Sequence, residues 1–363
     1  MYTEKYNQMK FLLPVFGIIL LLRINSVKAQ DIHFSQFYEA PLQLNPALCG
    51  AFNGGMLAEV NYRNQWFKLA GANGFNTMAA SLALHNLSGK WENSYLSTGL
   101  SFFSDRVGEA NIGNAGVNLT LSSGVYIDEN SCVSGGIQGG WSQYSVNTNS
   151  LQWGSQYING NFDPMASTGE TNMKSSSSYA DVSAGLAYNY AMRPLNSAST
   201  ENPFKVNAGI ALFHLNQPDI SYYNNTSASG NKLYMRFVMH GSVQYRIVET
   251  PISLVPAFVY YSQGPVNQFD LGLKVRYAIS EKSRITGFSK NVIADFGSFL
   301  RFNDALVLAG GIQYDAVYFG LSYDVNVSQL ASASYGKGGF EISFKYLNLD
   351  WYEGQDKHQH HAF

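Results

Sequence analysis

The histidines are the residues of widest chemical use in this chain, and their spacing matches no catalytic motif. The sequence contains no GxSxG, no HExxH and no paired acidic motif. A serine–histidine pair brought together by the fold is the enzymatic alternative that remains open. Imidazoles as close as those at 358–361 chelate zinc or nickel, but no cysteine or acidic residue is spaced to complete a tetrahedral site. We therefore expect no enzyme, no cofactor and no metal centre, although the chain has seven histidines: His33, His85, His214, His240, His358, His360 and His361.

The composition is typical of a surface that faces lipid on one side and water on the other. Charged residues make up 13% of the chain, whereas soluble domains contain about 25%. Aromatic residues make up 14%, yet the mean hydropathy is only -0.13. A membrane barrel has this mixture because apolar and polar side chains alternate along its strands. The net charge of -2 predicts no nucleic-acid partner.

The first 29 residues have the pattern of a signal peptide. Lys5 and Lys10 precede an apolar run from Phe11 to Leu22, and small Ala29 follows at a suitable distance. A membrane anchor is the alternative, but the run is shorter than the ~20 apolar residues that cross a bilayer. We expect cleavage after Ala29 and a mature chain that begins at Gln30.

Strict alternation of apolar and polar residues is the dominant pattern of the mature chain. From Phe269 to Tyr277 the odd positions are apolar, while the even positions include Asp270, Lys274 and Arg276. A strand places all of these charges on one face, whereas a helix scatters them. Similar alternation occurs in the windows 56–63, 117–122, 181–190 and 340–346.

Together with weaker segments, these windows predict an all-β chain: a transmembrane antiparallel β-barrel of about 14 strands over residues 56–346. An even number of strands is usual for single-chain bacterial barrels in the outer membrane. The lipid bilayer is then an expected partner of the outer face. A soluble secreted sandwich or propeller is the rival, but it gives no reason for so few charges. The stretch 278–291 is the least regular. The weaker segments lie near 76–86, 95–105, 131–145, 204–214, 234–248, 251–262, 292–302, 305–314 and 316–324.

The connections between the predicted strands divide into long and short ones. Numbering the strands from Met56 puts the long connections at one end of the barrel and the short turns near 127–131, 248–251 and 315 at the other. Outer-membrane barrels have long extracellular loops and short periplasmic turns. We therefore expect both chain ends, including the tail 347–363, on the periplasmic side. The long connections are 147–176, 215–233 and 325–337.

The segment 30–55 precedes the first strand and does not alternate. It contains Phe34, Phe37 and Tyr38 among other apolar residues, and such a surface usually has a partner. We expect it either to plug the lumen or to dock on periplasmic proteins. The plug is the favoured alternative, because a barrel of this size without one has an open pore.

Two pairs of residues invite a structural interpretation. Arg63 lies on the inward face of the first strand, and Asp324 ends the thirteenth strand at the same end of the barrel. They form either a charged latch or two solvated rim charges.

Cys49 and Cys132 both lie toward the periplasmic side, where a disulfide can persist. The bond requires a Cα–Cα distance below about 7 Å; otherwise we expect two buried thiols.

Three stretches of the mature chain contain distinctive sequence motifs. The mature chain opens with the run from Phe34 to Tyr38 and continues through Asn45 and Pro46 in a Leu-Asn-Pro-Ala sequence. The first strand ends in Tyr-Arg-Asn-Gln-Trp at 62–66, which includes Asn64, Gln65 and Trp66. The C-terminal part contains Tyr-Asp at 323–324 and Gly-Gly-Phe-Glu-Ile-Ser at 338–343. Together these motifs resemble those of the PorP/SprF family, which carries them in the same order, although Phe67 stands where the family usually has proline.

The resemblance implies a component of type IX secretion in the outer membrane of a Bacteroidota-type bacterium. Its partners would be secreted cargo proteins, such as adhesins or gliding proteins, and other secretion components, with no small-molecule substrate. The motif residues are then candidates for structural or partner contacts. A porin or small-ligand transporter is the alternative, and it requires a continuous polar lumen.

Overall fold

Fourteen antiparallel strands close into one barrel, as the alternation predicts. The computed structural model describes residues 31–66, 74–85, 93–170, 173–192, 202–221, 232–281, 290–328 and 331–348. The expected signal peptide and the histidine-containing tail lie outside the described residues. Among the described residues, no helix is long and apolar enough to cross a membrane.

The barrel strands follow one another around the wall in chain order, apart from a small hairpin between β5 and β8. The hairpin consists of β6 (Tyr157–Ile158) and β7 (Asn161–Phe162). The barrel strands are β1 (Met56–Gln65), β2 (Phe75–Leu84), β3 (Ser94–Val107), β4 (Ile112–Tyr126), β5 (Ser131–Ser145), β8 (Ser176–Met192), β9 (Phe204–Phe213), β10 (Arg236–Arg246), β11 (Ile252–Gln263), β12 (Val266–Ser280), β13 (Val292–Arg301), β14 (Ala305–Tyr314), β15 (Val317–Asn326) and β16 (Lys337–Asn348).

Closure depends on the pairing of the first strand with the last. β1 and β16 pair in register from Met56↔Asn348 to Gln65↔Gly339. No barrel strand is therefore left with an unpaired edge along the seam, where exposed backbone groups would be costly in lipid. The irregular stretch after position 278 appears as a register shift between Ala278 and Ser280 at the end of β12.

Side chains alternate between the two faces of the wall. In β12, Leu273 points outward and is 42% exposed, whereas the next residue, Lys274, forms ion pairs inside the barrel. The apolar face of the wall is thus the outer one. This arrangement is the one that a lipid environment requires.

The two ends of the barrel differ in their connections. One end carries 146–175, 214–235 and 327–336, and we call it the loop end. The opposite end, where β1 begins and β16 ends, is called the base. The sorting by length is incomplete, because the base also carries 193–203 and 281–291, and the loop end also carries the two-residue turn 264–265.

Candidate functional site

The N-terminal segment, residues 31–55, lies inside the barrel and runs from the loop end to the base. Asp31 contacts His214, which follows the last residue of β9 at the loop end. At the base, the amide of Gly55 donates to the carbonyl oxygen of Asn348. The expectation that the segment begins at the periplasmic end is therefore wrong for its first described residue. A ten-residue strand spans only about 33 Å, so this segment is long enough to cross the whole lumen.

Short helical turns give the segment its shape. They comprise Phe37–Glu39, Pro41–Leu44 and Pro46–Leu48. A proline begins each of the last two, where its fixed φ favours the turn and no amide bond is lost. The side chain of Asn45 caps the third turn by accepting from the amide of Ala47 at 2.9 Å.

Near the loop end, a buried cluster of charges connects the segment to four strands. Arg63 Nη2 lies 2.9 Å from Asp324 Oδ2, and Arg301 Nη1 lies 3.0 Å from the same oxygen. Arg301 Nε also lies 3.4 Å from Asp270 Oδ2. The hydroxyl of Ser35 donates to Asp324 at 2.8 Å and accepts from Arg301 at 2.9 Å. Arg63 and Asp324 thus form a buried, paired latch and are not solvated rim charges.

The backbone of the segment is bound at the same level. Both oxygens of Glu341 accept from backbone amides, from Ser35 at 2.7 Å and from Gln36 at 3.0 Å. On the other side, Arg63 Nη1 donates to the carbonyl oxygen of His33 at 2.7 Å. Charge-assisted bonds of this kind are the stronger ones in proteins, so β1 and β16 together fix the course of the chain here.

Asp31 is held by two cations at the loop end. His214 Nε2 contacts Asp31, while its Nδ1 lies 3.0 Å from Asp181. Burial alone would lower the pKa of His214, but the Asp31 and Asp181 carboxylates outweigh it and raise the pKa to about 9. Burial would likewise raise the pKa of Asp31, but His214 and Arg236 hold it well below its usual value. Both groups are therefore charged at neutral pH.

Halfway down the lumen, Glu39 connects two strands of the wall that are separated by three others. Its carboxylate pairs with Lys345 of β16 and lies 3.6 Å from Nζ of Lys274 of β12. Lys274 also lies 3.6 Å from Asp295, which in turn lies 3.3 Å from Arg276. Cations and carboxylates thus alternate along this series of contacts.

Apolar contacts fill the space between the charged levels. Phe37 packs edge-on against Phe299 at a centroid distance of 5.8 Å. The Tyr38 ring lies 4.2 Å from Nζ of Lys274, and Phe34 joins a separate cluster on the β2 side of the lumen. The largest cluster joins segment residues to inward-facing wall residues, among them Leu44, Ala47, Leu48, Ala211, Val238, Val259 and Val307.

The turn Asn45–Ala47, which we call the Asn-Pro turn, is bound closely by the wall. The Asn45 amide nitrogen donates to the carbonyl oxygens of Leu186 at 3.0 Å and Ile210 at 3.2 Å. It also lies 3.1 Å from His240 Nε2. The carbonyl oxygen of Ala47 accepts from hydroxyl groups of β4 and β5. The Leu-Asn-Pro-Ala sequence is therefore a packing and hydrogen-bonding element of the lumen.

The remaining residues of the Tyr-Arg-Asn-Gln-Trp run do not join Arg63 in the lumen. Asn64 donates to Asn76 of the neighbouring strand. Trp66 has a φ of 61° and packs edge-on against Phe75 at 5.1 Å. Gln65 ends β1, opposite Gly339. This run therefore splits between the lumen and the rim.

The two cysteines are free and buried, so no disulfide joins them. Cys49 packs in the lumen with Leu42, Leu57 and Ala83, whereas Cys132 packs with Tyr95 in a different cluster. Among the described residues, no group of three or more potential metal ligands comes together.

Most of the lumen charges were visible in the sequence only as one polar face of each strand. Their partners come from strands far apart in the chain, which alternation alone does not reveal. Asp31 and Glu39 were detectable as the acidic residues of the N-terminal segment. Residues of the clusters that lie outside the sequence motifs are Glu39, Asp181, His214, Arg236, Asp270, Asp295, Arg301 and Lys345.

Three solved structures show a distant similarity to this chain. Among solved structures, the CymD monoaromatic hydrocarbon channel is 12% identical, with a TM-score of 0.44 over 88% of this chain and 93% of that chain. The TodX deltaS2S3 mutant, also a monoaromatic hydrocarbon channel, is 9% identical, with a TM-score of 0.45 over 84% and 92%. BamA from Haemophilus ducreyi lacking POTRA domains 1-3 is 9% identical, with a TM-score of 0.38 over 81% and 70%.

No curated protein matches the sequence. The profile of the family described as type IX secretion system membrane protein PorP/SprF matches residues 26–346, which is nearly the whole chain. The closed barrel and this match fit a secretion membrane protein with an outer-membrane location. The chain belongs to the PorP/SprF family.

Proposed function

We propose that this chain assists the export or surface attachment of specific type IX cargo proteins, such as adhesins or gliding proteins. It does so by protein–protein contact in the outer membrane of a Bacteroidota-type bacterium, after removal of a signal peptide at Ala29. Family membership supports the association with type IX secretion. The barrel supplies the surfaces for that contact at the loop end and at the base.

The observation that carries the proposal is the filled lumen. The N-terminal segment occupies the barrel, and Glu39 joins β12 to β16 across the middle. A diffusion pore requires a continuous polar path with opposed charges that face the passing solute. Here the charges at mid-height are paired with one another, and Phe37 packs against the wall beside them. The segment acts as a plug, so that the barrel handles proteins rather than small solutes.

The alternative is a porin or small-ligand transporter in which the segment opens a path for solutes. The polar side chains on the inner wall of the barrel support this alternative. The two functions differ in what is lost when the protein is absent, because a porin deletion changes solute uptake and leaves surface proteins in place.

The test is deletion of the gene followed by quantitative proteomics of the cell surface. We expect a small set of secreted proteins to disappear from the surface and to return on complementation with the wild-type chain. The matched control is complementation with Lys290→Gln, which alters an exposed pair with Asp315 at the base and should restore export fully. Unchanged levels of every surface protein in the deletion strain would refute the secretion role.

A further inference from the structure

Three glycines form a depression in the inner wall beneath the Asn-Pro turn. A β-carbon added to Gly136 would lie 2.5 Å from the Pro46 carbonyl carbon, and one added to Gly185 would lie 1.9 Å from Asn45 Oδ1. One added to Gly209 would lie 2.6 Å from the Asn45 amide nitrogen. These glycines belong to the consecutive wall strands β5, β8 and β9. Since any other residue would collide with the turn, the wall is shaped to receive it.

The depression also forms specific hydrogen bonds with the turn. The Asn45 amide bonds two carbonyl oxygens of the wall that already belong to the β8–β9 ladder. Hydroxyl groups of Ser134 and Ser122 lie 2.9 Å and 3.4 Å from the Ala47 carbonyl oxygen. An aspartate at position 45 would lack the donor, and a longer residue would not fit. The wall thus distinguishes an Asn-Pro-Ala sequence by shape and by hydrogen bonding.

The upper part of the segment fits less completely. The Gln36 side chain is fully buried, yet neither of its amide atoms has a hydrogen-bond partner among the described residues. The hydroxyl groups of Ser322 and Ser343 on the facing wall are likewise buried without a partner there. Unsatisfied buried groups weaken an association. Both polar atoms of the Asn45 side chain are paired, whereas those of Gln36 are not, so the Asn-Pro turn carries the side-chain amide that the wall recognises.

The covalent connection of the segment to the wall is short and rich in glycine. It contains Gly50, which has a φ of +123°, Gly54 and Gly55, and Asn53 is exposed between them. All other contacts of the segment with the barrel are noncovalent. A tether of this length gives its ligand a millimolar effective concentration, which favours occupancy by the chain's own segment.

We propose that the inner wall is a peptide-binding site for an Asn-Pro-Ala turn, and that the chain's own N-terminal segment occupies it as an exchangeable ligand. The site takes a peptide with the sequence of residues 31–50, folded into the short helical turns seen here, and its occupant is the chain's own segment. This goes beyond the secretion role, because it assigns a ligand class to the lumen whatever the cargo is.

The test uses the folded, full-length chain with a protease site inserted after Asn53. After cleavage, a fluorescent synthetic peptide of residues 31–53 is added in excess and its binding is followed by anisotropy. We expect the labelled peptide to replace the cleaved segment. A peptide carrying Asn45→Ala should bind roughly a hundredfold more weakly, because the hydrogen bonds from the Asn45 amide to the wall are lost.

A matched pair of barrel variants locates the binding. Gly136→Leu fills the depression and should abolish uptake, whereas Gly139→Leu on the same strand, where an added β-carbon meets nothing within 4 Å, should bind as the wild type does. If Gly136→Leu does not fold, the proposal is still tested by comparing the binding of the wild-type and Asn45→Ala peptides to the wild-type barrel. Failure of the peptide to enter the cleaved wild-type barrel, or equal binding of both peptides, would overturn the proposal.

Discussion

At the scale of single residues, the lumen is held together by charges that are removed from water and paired. Arg301 is among the largest fully buried side chains, with 1% of its surface exposed. Its guanidinium group meets Asp324, Asp270 and Ser35 at once. Burying a charge is costly, and only such a set of partners offsets the cost. Removal of the arginine would leave the Asp324 and Asp270 carboxyl groups buried without this cation.

We therefore expect Arg301→Gln to lower the free energy of unfolding by about 3–5 kcal/mol, because Asp324 and Asp270 lose a buried cation. The measurement is equilibrium unfolding in urea with the protein in lipid vesicles. Lys290→Gln is the control, since the lysine side chain is 62% exposed and pairs only with Asp315, and we expect no measurable change. A loss below about 1 kcal/mol for Arg301→Gln would show that the cluster is not needed for stability.

At the scale of elements, the strands were predictable and their partners inside the barrel were not. Alternation such as that of 269–277 depends on neighbours in the chain, so it specifies the strand and both of its faces. The depression beneath Pro46 depends on Gly136, Gly185 and Gly209, which are distant in sequence. The direction of the N-terminal segment depends likewise on contacts such as Asp31 with His214. Only the closed barrel brings these residues together.

The two faces of β12 provide a direct test of the wall. Leu273→Arg should impair assembly, because an arginine in contact with lipid near the midplane costs roughly 2–4 kcal/mol. Lys274→Gln, at the next position, should assemble, because that side chain faces Glu39 inside the barrel. The measurement is the heat-modifiable fraction on gel electrophoresis. Equal assembly of both variants would contradict the assigned facing.

The position of the segment against β3 can be trapped with a single substitution. A β-carbon added to Gly99 would lie 2.8 Å from Cys49 Sγ, which is close enough for a disulfide once Leu42 has shifted slightly. We expect Gly99→Cys, in a Cys132→Ser background, to form this bond under oxidation. Mass spectrometry of unreduced peptides detects it. Gly139→Cys on the outer face is the control and should remain a free thiol. Free thiols in both proteins would place the segment elsewhere.

At the scale of the whole molecule, the course of the N-terminal segment determines where the chain ends lie. β16 ends at the base, whereas Asp31 lies at the loop end. The chain therefore crosses the lumen once before it forms the wall. An even number of strands returns the wall to its starting side, but it does not place the residues that precede β1.

With the loop end outside the cell, the two ends of the mature chain should differ in accessibility. An epitope inserted between Gln30 and Asp31 should react with antibody on intact cells, because Asp31 lies at the loop end. An epitope after Phe363 should react only after the outer membrane is opened. Labelling of the N-terminal epitope only after permeabilisation would contradict the direction of the segment.

The central claim is that the barrel is closed by its own N-terminal segment. The most direct measurement is solute permeability of proteoliposomes that contain the purified wild-type chain, with incorporation verified by flotation. The segment crosses the lumen from Asp31 to Gly55 and joins β12 to β16 through Glu39. We predict no swelling in small sugars above that of empty liposomes. Rapid swelling, comparable to that produced by a general porin, would contradict the account.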